Sequence, residues 1–319
     1  MPTMPFNALV TATHWSESAQ QIIQQAGGLV HFLPEPITED SLASQLAATG
    51  AQALVLRGSK PITDRVLAAS PALRIVAKNG AGVDSVDLDA ARTRQIAVAV
   101  APAANAHAVA EHAIALMLAL VRQLPQLDRM VRAGQWAGST WQGRDFRGAT
   151  VGIIGYGSIG RATAQLAAAL GAKVLVLRPH GQTDGFATEP ELHRLLPQVN
   201  ILSLHCPLTD RTRGLISAHE LSLLPRGSLL INTARGPVVN EAALVDALHN
   251  GQLDGAGLDT FDIEPLPATH ALAALPQVLL TPHVAGVTRD AALQVAAMTA
   301  RNIVDHLITD TLPAHHRVA

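Results

Sequence analysis

The chain has 319 residues, 48% of them hydrophobic and 15% charged, so it can form two domains with large apolar cores and is not expected to be disordered. Its net charge of −2 at pH 7 gives no general attraction to nucleic acid or to an anionic membrane, and we expect neither as a partner. The single cysteine, Cys206, excludes an internal disulfide framework.

Short apolar runs alternate with helix-like segments along most of the chain. In the first third, these runs predict five buried parallel strands, at residues 8–12, 29–33, 53–57, 74–78 and 96–100. A second series predicts six more strands, at residues 150–155, 173–178, 200–206, 228–233, 255–259 and 278–281. Two such series favour an α/β fold with two doubly wound parallel sheets.

A long helix-like stretch, residues 105–121, lies between the two series and continues past a break at Pro125. It is apolar on nearly every face, apart from Glu111 and His112, which is typical of a helix buried on both sides. The stretch is shorter than the ~20 residues of a membrane span, and no signal peptide is recognisable, so we expect a soluble, cytoplasmic protein. The segment 133–148 is predicted to be an exposed arm.

A glycine-rich loop with the spacing G-x-G-x-x-G follows the first strand of the second series and precedes a predicted helix. Gly155 permits a tight turn, Gly157 lets backbone N–H groups approach a pyrophosphate, and Gly160 lets helix and strand pack closely. The start of the helix adds partial positive charge. We predict a dinucleotide-binding site, and the alternative is an ordinary glycine-rich turn.

The next predicted strand ends at Arg178, with His180 two residues later. In NAD-binding domains an acidic residue near this place binds the ribose 2′-hydroxyl, whereas an arginine can pair with the 2′-phosphate of NADP. We therefore predict a preference for NADP over NAD. The alternative is a solvated arginine at a strand end, with NAD still accepted.

Three reactive side chains, Arg235, Glu264 and His283, each come shortly after a predicted strand of the second series. The carboxyl ends of parallel strands share one edge of a sheet, which is where ligands bind in open α/β sheets. Arginine can clamp a carboxylate through two parallel hydrogen bonds, and a positioned imidazole can donate a proton. Taken singly, Arg235 or Glu264 could be a surface charge, and His283 could be a histidine whose hydrogen bonds are all made within the protein. Together they are the groups needed to pass a hydride to a 2-keto acid.

The chain resembles the D-isomer-specific 2-hydroxyacid dehydrogenase family. The resemblance covers most of the chain, in residues 78–87, 109–112, 151–160, 204–209, 231–240, 257–265 and 281–286. Within the family the chain looks most like phosphoglycerate dehydrogenases and hydroxypyruvate or glyoxylate reductases. This implies reduction of hydroxypyruvate, glyoxylate or a phosphorylated analogue. Because no C-terminal regulatory domain follows, we expect a reductase of this kind rather than a D-3-phosphoglycerate dehydrogenase of serine biosynthesis, which stays the alternative.

The resemblance implies a role for each reacting group. His283 would donate a proton to the keto oxygen, and Glu264 would orient the imidazole and favour its protonated form. Arg235 would hold the substrate carboxylate and polarise the carbonyl. The backbone N–H groups of Ala81 and Gly82 would also bind the carboxylate. A glutamate partner excludes the formate dehydrogenases of the superfamily, which have glutamine there.

Arg57 and Lys78 end two predicted strands of the first series. In phosphoglycerate dehydrogenases, basic residues at these positions help to hold the phosphate, so an anionic substrate is one interpretation and interdomain contacts are the other. The resemblance also implies that Asp259 binds the nicotinamide carboxamide and that His205 lies near the adenine. The full set of implied cofactor contacts is Gly155, Tyr156, Gly157, Ser158, Ile159, Gly160, Arg178, His205, Pro207, Thr233, Ala234, Arg235, Asp259, His283 and Gly286.

The resemblance further implies a flavodoxin-like substrate domain, residues 1–101 and 286–319, into which a Rossmann cofactor domain, residues 102–285, is inserted. The apolar helix and the arm with Trp136 and Trp141 would form a homodimer interface. We predict no metal site, because the histidines match no metal-binding motif, and we expect the C-terminal residues 315–317 to be loose. The rival from another class is a non-catalytic, NAD(H)-sensing co-repressor, against which the lack of a long disordered extension argues.

Overall fold

The computed structural model describes residues 5–58, 60–178, 181 and 183–319, so His180 lies outside the described residues. The chain divides into two compact units, Met1–Asn105 with Val287–Ala319, and Ala106–Gly286. One unit contains a five-stranded sheet and the other a seven-stranded sheet, and every strand pair in both sheets is parallel. The predicted class, α/β with two doubly wound parallel sheets, is confirmed.

The first unit begins with a flavodoxin-like alternation of strands and helices. Its elements are β1 (Phe6–Val10), α1 (Glu17–Gln25), β2 (Gly28–Phe32), α2 (Glu39–Thr49), β3 (Ala53–Leu56), α3 (Asp64–Ala68), β4 (Ile75–Lys78), α4 (Leu88–Thr93) and β5 (Ala97–Ala99). The strand order is β2-β1-β3-β4-β5, the flavodoxin order. Each predicted strand of this series lies within two residues of the observed one at both ends.

The apolar runs form strands here because both faces of the sheet are covered. Successive side chains of a strand point to opposite faces. Leu9 therefore packs in one apolar cluster with Leu54 and Val76, while its neighbours Ala8 and Val10 pack in a second cluster. All five are fully buried. Burial of a leucine or valine side chain stabilises the fold by about 1.5–3 kcal/mol, which holds these runs in the sheet.

The second unit has the Rossmann strand order. Its elements are α5 (Ala106–Val121), α6 (Leu124–Arg132), β6 (Thr150–Ile154), α7 (Ser158–Ala169), β7 (Lys173–Leu177), β8 (Ala187–Glu189), α8 (Leu192–Leu195), β9 (Ile201–Leu204), α9 (Ala218–Leu223), β10 (Ser228–Asn232), α10 (Glu241–His249), β11 (Leu253–Leu258) and β12 (Val278–Leu280). The order β12-β11-β10-β9-β6-β7-β8 reverses between β6 and β9. Ligands of such sheets bind at this switch point, beyond the carboxyl ends of the strands.

The strand β8 was not predicted from the sequence. It has three residues, Ala187–Glu189, which are exposed or half-buried at the edge of the sheet. An edge strand that buries no apolar side chain gives no hydrophobic periodicity, so the sequence carries no signal for it.

The chain returns to the first unit through α11 (Arg289–Val304), which packs against α1 and β4. A buried hydrogen bond fixes this helix, since Asn302 Nδ2 donates to Val100 O at 2.7 Å. The expectation of a loose C-terminus was wrong. Arg317 pairs with Ala99 in an antiparallel bridge, because the edge of β5 offers backbone groups that the tail satisfies.

The helix α5 is the apolar helix that the sequence predicted. Ten of its sixteen residues are buried, and it packs against α7, β10 and β11. The break precedes Pro125 instead of falling on it, because proline occupies the first turn of α6, where its missing N–H has no partner to lose. Among the described residues, no helix on its own has the length and apolarity to cross a membrane. The helices α5 and α6 have the required length and apolarity only when taken together, and they are bent by 60° at the break between them.

The predicted arm, residues 133–148, is irregular and mostly exposed. Trp136 is 83% exposed, whereas Trp141 is half-buried and donates from Nε1 to Gln123 Oε1 at 3.4 Å. No residue of α6 is buried. The arm and α6 are therefore exposed. The predicted homodimer interface consisted of α5 and the arm, and the role of both in a dimer stays a prediction.

Candidate active site

The three glycines of the loop after β6 have different surroundings. Gly155 has φ +93°, and a Cβ there would lie 2.5 Å from the backbone nitrogen of Cys206. A Cβ at Gly160 would lie 2.0 Å from Gly155 O, so these two glycines permit close backbone packing. A Cβ at Gly157, by contrast, would meet no described atom within 4 Å. The side of the loop at Gly157 is open to a ligand, beside the first turn of α7.

Buried polar atoms at the carboxyl edge of the sheet indicate that a ligand belongs there. Within the described part of the chain, four buried side-chain polar atoms have no hydrogen-bond partner, and two of them are Thr233 Oγ1 and His205 Nδ1. Thr233 directly follows β10 and His205 directly follows β9, so both are at the carboxyl edge of the sheet. Buried polar groups are nearly always paired. The open cradle and the two unpaired groups fit a bound dinucleotide.

Arg178, directly after β7, belongs to a charged cluster around Tyr156. Its guanidinium lies 5.6 Å from the centre of the Tyr156 ring, and Nη1 donates to Tyr156 O at 3.3 Å. Arg161 of α7 lies 5.7 Å from the same ring and pairs with Asp184 at 3.1 Å. Burial, together with a 2.9 Å hydrogen bond to Asp184, raises the pKa of the Tyr156 hydroxyl to about 12. Two cations, Arg178 and Arg161, and one carboxylate, Asp184, thus surround Tyr156 next to the end of β7.

His205 is held as a neutral residue. Its backbone N–H donates to Ile154 O at 2.7 Å, and its Nε2 lies 2.9 Å from Ser203 Oγ. Although part of the residue is exposed, burial of the imidazole lowers its pKa to about 4. Burial also raises the pKa of the neighbouring Cys206 thiol, so this cysteine is buried and protonated rather than a nucleophile.

His283 and Glu264 are in contact. His283 Nδ1 lies 2.8 Å from Glu264 Oε2, and the other carboxylate oxygen accepts a 3.0 Å hydrogen bond from the backbone N–H of Phe261. Because the carboxylate of Glu264 occupies Nδ1, Nε2 is the imidazole nitrogen that can exchange a proton with a ligand. The side chains of His283 and Glu264 are 43% and 35% exposed, which leaves room for a substrate beside them.

A buried carboxylate positions the loop that carries His283. Asp259, 1% exposed, accepts hydrogen bonds from Thr281 Oγ1 at 2.5 Å, Val284 N at 2.9 Å and Ala285 N at 2.8 Å. His283 itself has φ +55°, a left-handed conformation that costs a non-glycine residue free energy. The bonds to Asp259 on both sides of His283 stabilise that conformation.

His112 of α5 extends this network, a role that was not predicted from the sequence. Its Nε2 lies 3.0 Å from Thr281 Oγ1. The hydroxyl has one proton, which it donates to Asp259, so it accepts the second bond and His112 Nε2 is the donor. From the sequence, His112 was a polar residue of an apolar helix and part of segment 109–112, which resembles the family, but no role was assigned to it. The structure links it through Thr281 to the loop of His283.

Arg235 lies directly beyond the turn that follows β10. Its Nη1 donates to Ala234 O at 2.7 Å, and the buried Asn232 shapes the turn by donating to Arg235 O at 2.9 Å. A Cβ at the next residue, Gly236, would lie 2.0 Å from the backbone of Phe261. The turn of Arg235 therefore packs closely against the loop that leads to Glu264.

The predicted substrate residues of the first unit follow β3 and β4. Arg57 Nη1 donates to His14 O at 2.7 Å, and Lys78, 9% exposed, donates from Nζ to Gly58 O. Ala81 is exposed and Gly82 half-buried in the loop after β4. Both basic residues thus have partners within their own unit, and their part in substrate binding stays a prediction.

The Rossmann sheet and the glycine cradle define a dinucleotide-binding α/β protein. Residues 114–285 match the family described as D-isomer specific 2-hydroxyacid dehydrogenase, NAD binding domain. The chain is 41% identical to D-3-phosphoglycerate dehydrogenase from Mycobacterium tuberculosis over 249 residues, which are 77% of this chain and 47% of that protein. It therefore spans about half the length of this relative.

Two further relatives are covered over most of their length. The chain is 38% identical to glyoxylate reductase from Aeropyrum pernix over 261 residues, which are 76% of this chain and 77% of that protein. The crystal structure of a glyoxylate reductase from Paecilomyes thermophila superposes with a TM-score of 0.88 at 28% identity, covering 100% of this chain and 99% of that one. The chain belongs to the D-isomer-specific 2-hydroxyacid dehydrogenase family, and these relatives are named as oxidoreductases.

Proposed function

We propose that the protein is an NAD(P)-dependent D-2-hydroxyacid dehydrogenase that reduces a small 2-keto acid. The observation that carries this proposal is the 2.8 Å contact between His283 Nδ1 and Glu264 Oε2 at the edge of the sheet that also has the dinucleotide cradle. Membership of the family supports it, as do relatives named dehydrogenase and reductase.

The chain's own residues would each do one part of the chemistry. When bound, the nicotinamide dinucleotide supplies the hydride. Residues of the cradle, with Thr233, would hold it, and Asp259 can still accept a bond from its carboxamide, since each carboxylate oxygen accepts more than one hydrogen bond. His283 would donate a proton from Nε2 to the keto oxygen, while Glu264 keeps the imidazole oriented.

Arg235 would bind the carboxylate of the substrate by its guanidinium fork and polarise the adjacent carbonyl. In the first unit, the backbone N–H groups of Ala81 and Gly82 are the substrate contacts that the family resemblance implies. Arg57 and Lys78 would favour an anionic or phosphorylated substrate. Hydroxypyruvate, glyoxylate and a phosphorylated analogue are the candidates, and D-3-phosphoglycerate dehydrogenase activity is the second candidate function, which the 41% identity to that enzyme favours.

A screen of small 2-keto acids with NADH and NADPH tests the proposal. We expect oxidation of the reduced cofactor with at least one of hydroxypyruvate, glyoxylate or phosphohydroxypyruvate at a kcat of about 1–10³ s⁻¹. Tight binding of the cofactor without turnover of any 2-keto acid would contradict the proposal and favour the nucleotide-sensing alternative.

We expect NADPH to be preferred, because Arg178 directly follows β7 and can pair with a 2′-phosphate, while the charge of the nearby Arg161 is offset by Asp184. Replacement of Arg178 by aspartate should reverse the preference, since an acid repels a 2′-phosphate and binds a 2′-hydroxyl. The measurement is kcat/KM with each cofactor for the wild-type protein and for R178D. Arg194 is an exposed residue of α8 that pairs with Glu191, and its replacement by aspartate, R194D, provides the control. A wild-type preference for NADH of tenfold or more would show that the cofactor assignment is wrong.

A homodimer is the proposed assembly. Leu124, Val131 and Trp136 are 54%, 55% and 83% exposed on α6 and the arm, and large apolar groups exposed together are typical of an interface. Sedimentation at micromolar concentration should give twice the chain mass of 33.4 kDa, and replacement of Trp136 by serine should weaken the dimer. A monomer at that concentration would refute the proposal.

A further inference from the structure

Two helices of the Ala106–Gly286 unit bring two imidazoles and a carboxylate together, and none of the three belongs to the proposed active site. His193 belongs to α8, and His219 and Glu220 belong to α9. One ligand atom of each residue lies within 4.8 Å of the ligand atoms of the other two. From this cluster we infer that the protein has a binding site for a divalent transition-metal ion, with Zn²⁺ as the ion that fits its ligands best.

The spacing of the cluster is close to that of a zinc site. Nitrogen and oxygen ligands about 2.0–2.1 Å from a tetrahedral zinc ion lie about 3.3–3.4 Å from one another. His193 Nε2 already lies 3.4 Å from Glu220 Oε1. The two imidazole rings meet edge-on with their centres 5.2 Å apart. The remaining ligand-atom distances, which are at most 4.8 Å, would have to shorten when an ion binds, and both histidines are exposed side chains.

Glu220 is held in place before any ion binds. Its Oε2 accepts a 3.1 Å hydrogen bond from the backbone N–H of Ser217, as the second half of the capping box that starts α9. This bond fixes the carboxylate and leaves Oε1 facing His193. A metal ion would therefore bind to a carboxylate whose orientation is already set.

The ligand types decide which ions fit. Two imidazoles with one carboxylate suit Zn²⁺, Co²⁺ or Ni²⁺, whereas Mg²⁺ and Ca²⁺ prefer sets made of oxygen alone. Three protein ligands leave a fourth position for water. Because His193 and His219 are exposed, an ion can enter from solvent. A bound ion would cross-link α8 to α9, the helices that precede β9 and β10, and so would stabilise the folded chain against unfolding.

The test is a titration of the whole protein with Zn²⁺ at pH 7.5, in competition with a chromophoric chelator, together with Co²⁺ absorption spectra. We expect one tightly bound Zn²⁺ per chain and the visible bands of tetrahedral Co²⁺. His193→Ala and His219→Ala should each weaken Zn²⁺ affinity by at least about tenfold and abolish those bands. Zn²⁺ should also raise the Tm of the wild type but not that of either variant.

The matched control is His270→Ala. His270 Nε2 pairs with Glu241 Oε2 at 3.2 Å, which gives an imidazole–carboxylate pair without a second histidine. This variant should keep the affinity, the Co²⁺ spectrum and the Tm shift of the wild type. If H193A and H219A bind Zn²⁺ as tightly as the wild type, or if H270A loses as much affinity as they do, the proposed site does not exist. Circular dichroism of the metal-free variants shows that each is folded.

Discussion

Replacement of His283 by alanine is expected to lower kcat for 2-keto acid reduction by about 10²–10⁴-fold, the usual effect of removing a positioned general acid. The affinity for the reduced cofactor should change little, because the cradle after β6 and Thr233 are untouched. The expected loss of kcat follows from the geometry of the pair. Glu264 binds Nδ1 at 2.8 Å, so Nε2 is the only ring nitrogen that can donate a proton to the substrate. Steady-state kinetics and a fluorescence titration with NAD(P)H measure the two effects separately.

A second variant separates chemistry from backbone strain. His283 has φ +55°, and alanine tolerates the left-handed region less well than asparagine does. His283→Asn therefore keeps the conformation of the loop that Asp259 holds but cannot donate a proton as imidazolium does. Both variants should lose activity to a similar extent. Half of the wild-type kcat in either one would show that His283 is not the proton donor.

Replacement of Arg235 by alanine should raise KM for the keto acid and lower kcat together. Two charge-assisted hydrogen bonds to the substrate are worth about 1.5–3 kcal/mol each, so kcat/KM should fall by about 10²–10⁴-fold. Arg235→Lys keeps the charge but loses the planar fork, and should recover only part of the loss. Cofactor affinity should stay near that of the wild type in both variants.

The control for this prediction is Arg226, at the other end of the same strand. It precedes β10 and donates from Nη2 to Asn250 O, so it is an arginine of the same unit on the edge opposite to Arg235. Arg226→Ala should leave KM and kcat close to wild-type values. Equal losses in R226A and R235A would mean that the effect is one of general charge or stability, and the carboxylate clamp would be refuted.

The two sheets could be predicted from the sequence because their strands are buried on both faces. Continuous apolar runs such as residues 53–57 are the sequence pattern of parallel strands covered by helices, and these runs matched the observed strands closely. The strand Ala187–Glu189 and the pairing of Arg317 with Ala99 escaped prediction for one reason. Both stabilise the edge of a sheet through backbone hydrogen bonds, and the pattern of side chains along the sequence does not predict such bonds.

The position of the reacting groups at one edge of the sheet could be predicted because each of them follows a strand. His283 and Glu264 come after two neighbouring strands, so their meeting at one edge follows from topology alone. The link from His112 to Thr281 was not predictable, because it joins residues 169 positions apart through packing of a helix on the sheet. The left-handed backbone of His283 was not predictable either, because only a few per cent of residues other than glycine adopt that conformation, even though histidine is among the more frequent ones.

The prediction that the chain has no metal site rested on motifs within single segments. His193 and His219 are on separate helices, with β9 between them in the chain, so no spacing rule connects them. Only the packing of α8 near α9 brings their imidazoles together. Clusters of this kind are visible in three dimensions alone.

The measurement that tests the central claim most directly is product analysis after reduction of hydroxypyruvate or glyoxylate with NAD(P)H deuterated at the transferable C4 position. If the His283–Glu264 pair and Arg235 act as proposed, the 2-hydroxy acid should have deuterium at C2, and glycerate formed from hydroxypyruvate should be the D-isomer. The H283N variant should form this product at least about 10²-fold more slowly. Unlabelled product, the L-isomer, or no product from any 2-keto acid would contradict the account.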